Sequence, residues 1–153
     1  MSTILRAVTD EVRPEHGLFV VAGVVDGIMT GSAVDGRMEP PGGRVAAGHD
    51  GLIIQAAHLY ESCRVHGRLE RWDGPPPMDT WEELWTGRLR LESGLVGVEA
   101  WADYYSHDFE FDLGQADTTW SVRVVTKILQ TEREAGFPDA AAQVELYKIQ
   151  FWT

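Results

Sequence analysis

The sequence has one cysteine, few basic residues and no long apolar run, and each shortage narrows the classes of protein that fit it. Cys63 has no second cysteine with which to form a disulfide, as is typical of proteins from a reducing compartment. The longest uninterrupted apolar segment, Leu18–Val25, is too short to cross a bilayer, and residues 1–16 are too charged for a secretory signal. These shortages predict a cytoplasmic location and no membrane partner.

Basic residues are outnumbered by acidic ones, with 13 Lys and Arg against 24 Asp and Glu, for a formal net charge of −11. This charge argues against nucleic acid as a direct partner, because a protein that binds phosphates needs a positive surface. Its length of 153 residues and its hydrophobic fraction of 44% predict one globular domain that spans residues 1–153.

Apolar residues alternate with polar ones in short segments, which is typical of β-strands rather than helices. Leu18–Val25 is apolar on both faces and predicts a buried strand. Together the segments predict an all-β fold, an antiparallel, jelly-roll-like β-sandwich of about eight strands. The predicted strands are Leu18–Val25, Leu52–Leu59, Ser62–Trp72, Trp85–Glu92, Leu95–Ala102, His107–Leu113, Trp120–Leu129 and Val144–Trp152.

Three segments interrupt the alternation. Residues 1–16 carry no clear period and predict a loose N-terminus. Residues 26–51 contain seven glycines and the pair Pro40-Pro41, and they predict a long Gly/Pro-rich loop with a short strand near Gly27–Thr30. Thr80 followed by Glu83 has the spacing of a capping box, which predicts one helical turn.

Acidic and aromatic residues concentrate between Pro75 and Asp117. This stretch has ten acids and two arginines, so it accounts for −8 of the net charge of −11. Carboxylates steer a basic partner and aromatic side chains anchor it, so the stretch predicts a protein-binding surface. The predicted partner-binding residues are Asp79, Trp81, Glu82, Glu83, Asp103, Tyr104, Asp108, Glu110 and Asp112.

Asp108, Glu110 and Asp112 lie two residues apart and are predicted to share one face of a strand, about 6.5–7 Å from each other. That spacing is too long for all three to bind one cation. The three acids therefore form an ionic ladder with arginines of neighbouring strands, or a docking surface, or part of a metal site completed by another strand.

Catalytic signatures are absent, and no catalytic residue, metal ligand or cofactor is predicted. No serine lies in a nucleophile elbow, and no Gly-rich segment ends in the sequence of a phosphate-binding loop. Two alternatives remain open. His58, His66 and His107 would form a small-ligand or metal site if their strands were neighbours, and exposed strand edges would support self-assembly.

Three C-terminal segments resemble a known group of proteins: Phe109–Gly114 (FEFDLG), Trp120–Val124 (WSVRV) and Glu145–Trp152 (ELYKIQFW). They are similar to small β-sandwich proteins common in actinobacteria and, more remotely, to the competence-J family, which inhibits a DNA-entry nuclease. The insert at Asp26–Gly51 departs from that pattern, and no functional residue is carried over.

The resemblance implies a non-catalytic protein, an inhibitor or an immunity protein. Its predicted partner is a basic protein, such as a nuclease or a toxin, because an acidic surface complements a basic one. The sequence does not predict the oligomeric state.

Overall fold

The structure is a computed structural model, and it describes residues 1–14, 17–30, 43–57, 64–100, 109–129, 134–138 and 144–153. The described residues form eleven strands and no helix. In chain order the strands are β1 (Ile4–Val12), β2 (Leu18–Val25), β3 (Ile28–Met29), β4 (Val45–Ala47), β5 (Gly51–Gln55), β6 (Arg64–Trp72), β7 (Glu82–Leu91), β8 (Leu95–Ala100), β9 (Phe109–Asp112), β10 (Thr118–Leu129) and β11 (Val144–Trp152). A helix suited to crossing a bilayer is therefore not found within these ranges.

The strands form two sheets. The five-stranded sheet has the order β1-β6-β11-β10-β7, and the six-stranded sheet has the order β4-β5-β2-β8-β9, with β3 paired to β2. All pairings are antiparallel except one: β11 runs parallel to β6, from Val144 opposite Arg64 to Phe151 opposite Arg71.

The two sheets pack face to face around one apolar cluster, because alternate residues of each strand point inward. Trp120 and Phe151 meet edge to face with ring centroids 6.5 Å apart. Phe19 of β2 meets Tyr147 of β11 in the same way at 5.2 Å, which joins the two sheets across the core. Phe19, Trp120, Tyr147 and Phe151 are all fully buried. The predicted all-β sandwich is therefore confirmed.

The strand count differs from the prediction of about eight. β1 occupies residues that carry no clear period, and the three-residue β4 lies within the predicted loop 26–51. Residues 31–42 of that loop lie outside the described residues, whereas β3 confirms the short strand near Gly27–Thr30.

The strand register defines two ends of the sandwich. Four short turns share one end, here named the turn end: residues 26–27, 48–50, 92–94 and 113–117. The other end, here named the loop end, is bordered by strand termini that include Gln55, Arg64, Glu82, Ala100, Phe109, Leu129 and Val144.

Candidate functional site

The acidic stretch is continuous in sequence but divided in space. β7 is an edge of the five-stranded sheet, and β9 is an edge of the six-stranded sheet. β7 lies beside the β4–β5 turn, because Arg90 N donates a hydrogen bond of 2.9 Å to the carbonyl of His49. β9 instead lies beside β1, where Asp112 is 4.0 Å from Arg6. The acids of β7 and β9 are therefore at opposite edges of the sandwich.

Glu82 and Glu83 begin β7 at the loop end. Both side chains are exposed, and within the described part of the chain neither forms an ion pair or a side-chain hydrogen bond. Carboxylates that are exposed and lack a cation are available to a basic partner, since no existing contact must be broken.

Trp81, a predicted anchor, is only 8% exposed. Its ring packs with Val125 and Leu146 on the outer face of the five-stranded sheet, and the ring of Phe137 lies 5.8 Å away. The Nζ atom of Lys148 lies 4.2 Å from its centroid. Trp81 therefore holds the segment before β7 against the sheet and presents little surface for a partner.

The predicted helical turn at Thr80 is wrong. The Asp79 carboxylate accepts a hydrogen bond of 2.9 Å from Trp81 N, which stabilises a turn over three residues. Glu82 and Glu83 then pair with Thr126 and Val125 of β10. The capping-box spacing does not produce a helix here, because burial of the Trp81 ring and pairing with β10 fix the chain as a strand.

Glu110 and Asp112 are exposed on β9, and Asp108 lies outside the described residues. Asp112 accepts a hydrogen bond of 2.6 Å from Gly114 N. Among the described residues β9 pairs with β8, where Glu110 lies opposite Gly97, so these acids face no arginine of a strand paired in the same sheet. Asp112 instead lies 4.0 Å from Arg6 of β1, in the other sheet. Asp103 and Tyr104 also fall outside the described residues.

His66 lies on the outer face of β6, opposite Leu146, and is half-buried. Burial lowers its pKa, an effect that the nearby Glu11 partly opposes. His58 and His107 lie outside the described residues. Within the described ranges, no group of three histidine, cysteine, aspartate or glutamate side chains is placed to hold a metal ion.

The edge strands bear on the self-assembly alternative. β4 and β9 have three and four residues, and β1 and β7 each carry a register shift against their neighbour. Short or irregular edges disfavour pairing with a second chain. The edges therefore disfavour addition of strands from another copy.

A pocket of about 430 Å³ opens at the turn end. Asp50, Glu92 and Asp117 line it together with His49 and Arg90. Arg90 Nη2 lies 3.6 Å from the Asp117 carboxylate, so these two side chains form an ion pair at the pocket. No local sequence pattern predicts this pocket, because its acids come from three separate turns.

Glu145 is a buried carboxylate that was not among the predicted site residues. Its side chain is 0% exposed and faces the space between the sheets at the loop end. It accepts hydrogen bonds of 2.6 Å from the Tyr147 hydroxyl and 2.8 Å from Ala57 N, and Arg44 Nη2 lies 3.7 Å away. Burial and the bond to Glu145 raise the pKa of Tyr147, so its hydroxyl stays protonated and donates.

Neither a family model nor a curated protein matches the chain. A solved structure does resemble it: ComJ from Bacillus subtilis, described as an inhibitor of the DNA-degrading activity of NucA. The TM-score is 0.63 and the sequence identity 13%, over 100% of this chain and 98% of that chain.

The likeness extends over the whole sandwich, so the remote resemblance to the competence-J family drawn from the C-terminal strands has a structural counterpart. At 13% identity it establishes the shared fold. A fold hosts many functions, so function must be argued from surface and charge.

Proposed function

We propose that this chain is a non-catalytic protein-binding inhibitor that docks on the basic surface of a nuclease. The observation that carries the proposal is the full-length likeness to ComJ, which is described as an inhibitor of the DNA-degrading activity of NucA. That likeness is compatible with an inhibitor-type role for this chain.

Charge gives independent support. A nuclease binds DNA through a positive groove, and a protein that covers this groove needs carboxylates in place of phosphates. This chain has a net charge of −11, with −8 of it between Pro75 and Asp117. Such a surface also accelerates encounter with a basic partner.

The docking surface that we propose lies at the loop end, around the start of β7. Glu82 and Glu83 are exposed there and have no cation among the described residues, and Asp79 precedes them in the chain. Asp103, Tyr104 and Asp108 belong to the segment between β8 and β9, both of which reach the same end. Glu110 and Asp112 lie further along β9 and would contribute long-range attraction.

The test is inhibition of DNA degradation. Proteins of the source organism are separated by cation exchange, which retains basic nucleases, and each DNA-degrading fraction is assayed with increasing amounts of the purified chain. We expect stoichiometric inhibition in at least one fraction, weakened by high salt because the contact is electrostatic.

Two variants with the same change of charge locate the surface. Glu82→Lys/Glu83→Lys should raise the half-inhibitory concentration about 100-fold, because reversed charges at an interface cost several kcal/mol. Glu92→Lys/Asp117→Lys, at the turn end, is the control and should have little effect. Equal loss in both variants would reject the surface, and no inhibition of any fraction by the unaltered chain would reject the function.

A further inference from the structure

The outer face of the five-stranded sheet is the basic face of this acidic protein. On β6, β10 and β11 the outward positions alternate with the buried residues Leu69, Val124 and Ile149, and five of these outward positions are cations. They are Arg64, Arg68, Arg123, Lys127 and Lys148. Arg68 and Lys148 are directly opposite each other in the parallel β6–β11 pair, an arrangement that is unfavourable unless anions lie between or above them.

A pocket of about 300 Å³ lies above this pair. Two segments frame it: residues 77–79 on one side and residues 135–136 on the other. Its apolar walls are Ile4, Trp72, Pro77 and Ala135, and its polar groups come from Arg68, Glu70, Asp79, Lys148 and Gln150. The pocket therefore combines apolar walls with charged groups, as small-molecule sites do.

Glu70, at the floor, is fully committed to its neighbours. Its side chain is 3% exposed, and its Oε2 atom accepts a hydrogen bond of 2.8 Å from Arg68 Nε. Its Oε1 atom accepts two hydrogen bonds, one of 3.0 Å from Gln150 Nε2 and one of 3.1 Å from Trp72 Nε1. Glu70 thus neutralises Arg68 and fixes three side chains of the floor, which makes the site rigid before any ligand arrives.

Lys148 differs from Arg68 because its charge is incompletely satisfied. Its side chain is only 17% exposed, and the nearest carboxylate oxygen, on Asp79, is 3.9 Å away, beyond hydrogen-bond distance. Its other contact is the Trp81 ring at 4.2 Å. Among the described residues none accepts a hydrogen bond from this ammonium group, although it lines the pocket.

We propose that this pocket binds a small monocarboxylate with an apolar body, and that Lys148 is the cation that recognises the carboxylate. The apolar part would lie against Trp72, Pro77 and Ile4. A phosphate fits less well, because a second negative charge would face the carboxylates of Glu70 and Asp79. Asp79 would compete with the ligand for Lys148.

The test is an NMR titration with acetate, butyrate, phenylacetate and indole-3-acetate, and with the neutral amide of each acid, at constant ionic strength. We expect saturable shifts of the Trp72 indole N–H, with the larger carboxylates binding at a Kd of about 1 mM and the amides about tenfold more weakly. The proposal would be overturned if none of the four carboxylates produced a saturable shift, or if the acids and their amides bound with equal affinity.

Three variants test the roles of the charges. Lys148→Met keeps the side-chain length and should remove the preference for acid over amide. Asp79→Asn removes the competing charge but keeps the oxygen that accepts from Trp81 N, and it should strengthen carboxylate binding about threefold to tenfold. Lys127→Met is the control, because Lys127 carries the same charge on the same face and its Nζ atom lies 3.0 Å from the Glu134 carboxylate. This variant should leave the affinities for the acids and the amides unchanged. If Lys148→Met binds as the control does, the assignment is wrong, provided that melting temperatures show all variants folded.

Discussion

Arg44 and Glu145 provide the sharpest test of what holds the loop end together. The Glu145 carboxylate is fully buried, and the guanidinium of Arg44, 27% exposed, lies 3.7 Å from it and also donates to Tyr147 Oη. Arg44→Met removes this positive charge but keeps much of the apolar stem. A carboxylate in the interior depends on its cation, because the desolvated charge is otherwise poorly compensated.

Removing one partner of a buried pair typically costs about 3–5 kcal/mol. We expect about 3 kcal/mol here, at the lower limit, because Arg44 is partly exposed and water can replace some of its contact. For a chain of this size, that corresponds to a fall in melting temperature of about 6–12 °C. Urea unfolding followed by tryptophan fluorescence would give the free energy of unfolding directly.

The double variant Arg44→Met/Glu145→Gln decides whether the charge is the cause. If so, Arg44→Met should cost about 1 kcal/mol or less in the Glu145→Gln background, since no carboxylate remains to be neutralised. The reasoning would be refuted if the loss of unfolding free energy in the double variant equalled the sum of the losses in the two single variants to within about 0.5 kcal/mol, because the two side chains would then act independently.

Three further predictions concern backbone strain and pH. Gly94 and Gly27 have φ of 76° and 77°, but a Cβ at Gly94 would lie 2.5 Å from Gln115 O, whereas one at Gly27 would meet nothing within 4 Å. In urea unfolding, Gly27→Ala should lower the free energy of unfolding by about 1 kcal/mol and Gly94→Ala by at least about 1 kcal/mol more, and equal losses would contradict the steric argument. Burial lowers the pKa of His66 more than Glu11 raises it, so the unfolded chain binds more protons than the folded chain as pH falls, and the free energy of unfolding decreases. Between about pH 7.5 and about pH 5.5 the melting temperature should therefore fall further in the unaltered chain than in His66→Phe, and parallel curves for the two proteins would contradict this prediction. Hydrogen bonds from Thr3 N and Oγ1 lower the pKa of Asp73, so these bonds stabilise the fold above the ordinary pKa of an aspartate, and the stabilisation is lost as pH falls through the lowered pKa. In an NMR titration the pKa of Asp73 should be higher in Thr3→Ala than in the unaltered chain, and an unchanged pKa would contradict the side-chain contact.

Local pattern predicted the strands whose residues are apolar and bounded by turns. The bounds of β2 and β11 match the predicted Leu18–Val25 and Val144–Trp152 residue for residue. β1 was missed because it is an edge strand, largely exposed on both faces, so its sequence carries no strong alternation. The parallel pairing of β6 with β11 joins residues about eighty positions apart, and no local pattern encodes such a choice.

The candidate site was less accessible to sequence. The acids between Pro75 and Asp117 are neighbours in the chain but not in space, because β7 and β9 belong to different sheets. Trp81 illustrates a second difficulty, because an aromatic residue beside acids looks like an anchor whether it is exposed or buried. One signal was available: Glu145 is in phase with Tyr147, Ile149 and Phe151, and a carboxylate at an inward position of a strand points to a buried charge.

The place of β11 has a consequence for how the protein is made. This strand follows every other strand in the chain, yet it separates β6 from β10 at the centre of the five-stranded sheet. During synthesis, the pair β1–β6 and the pair β7–β10 therefore each wait with one unfilled flank until residues 144–152 emerge from the ribosome. An unfilled flank invites pairing with other nascent chains, so folding yield should depend on how quickly that last strand inserts.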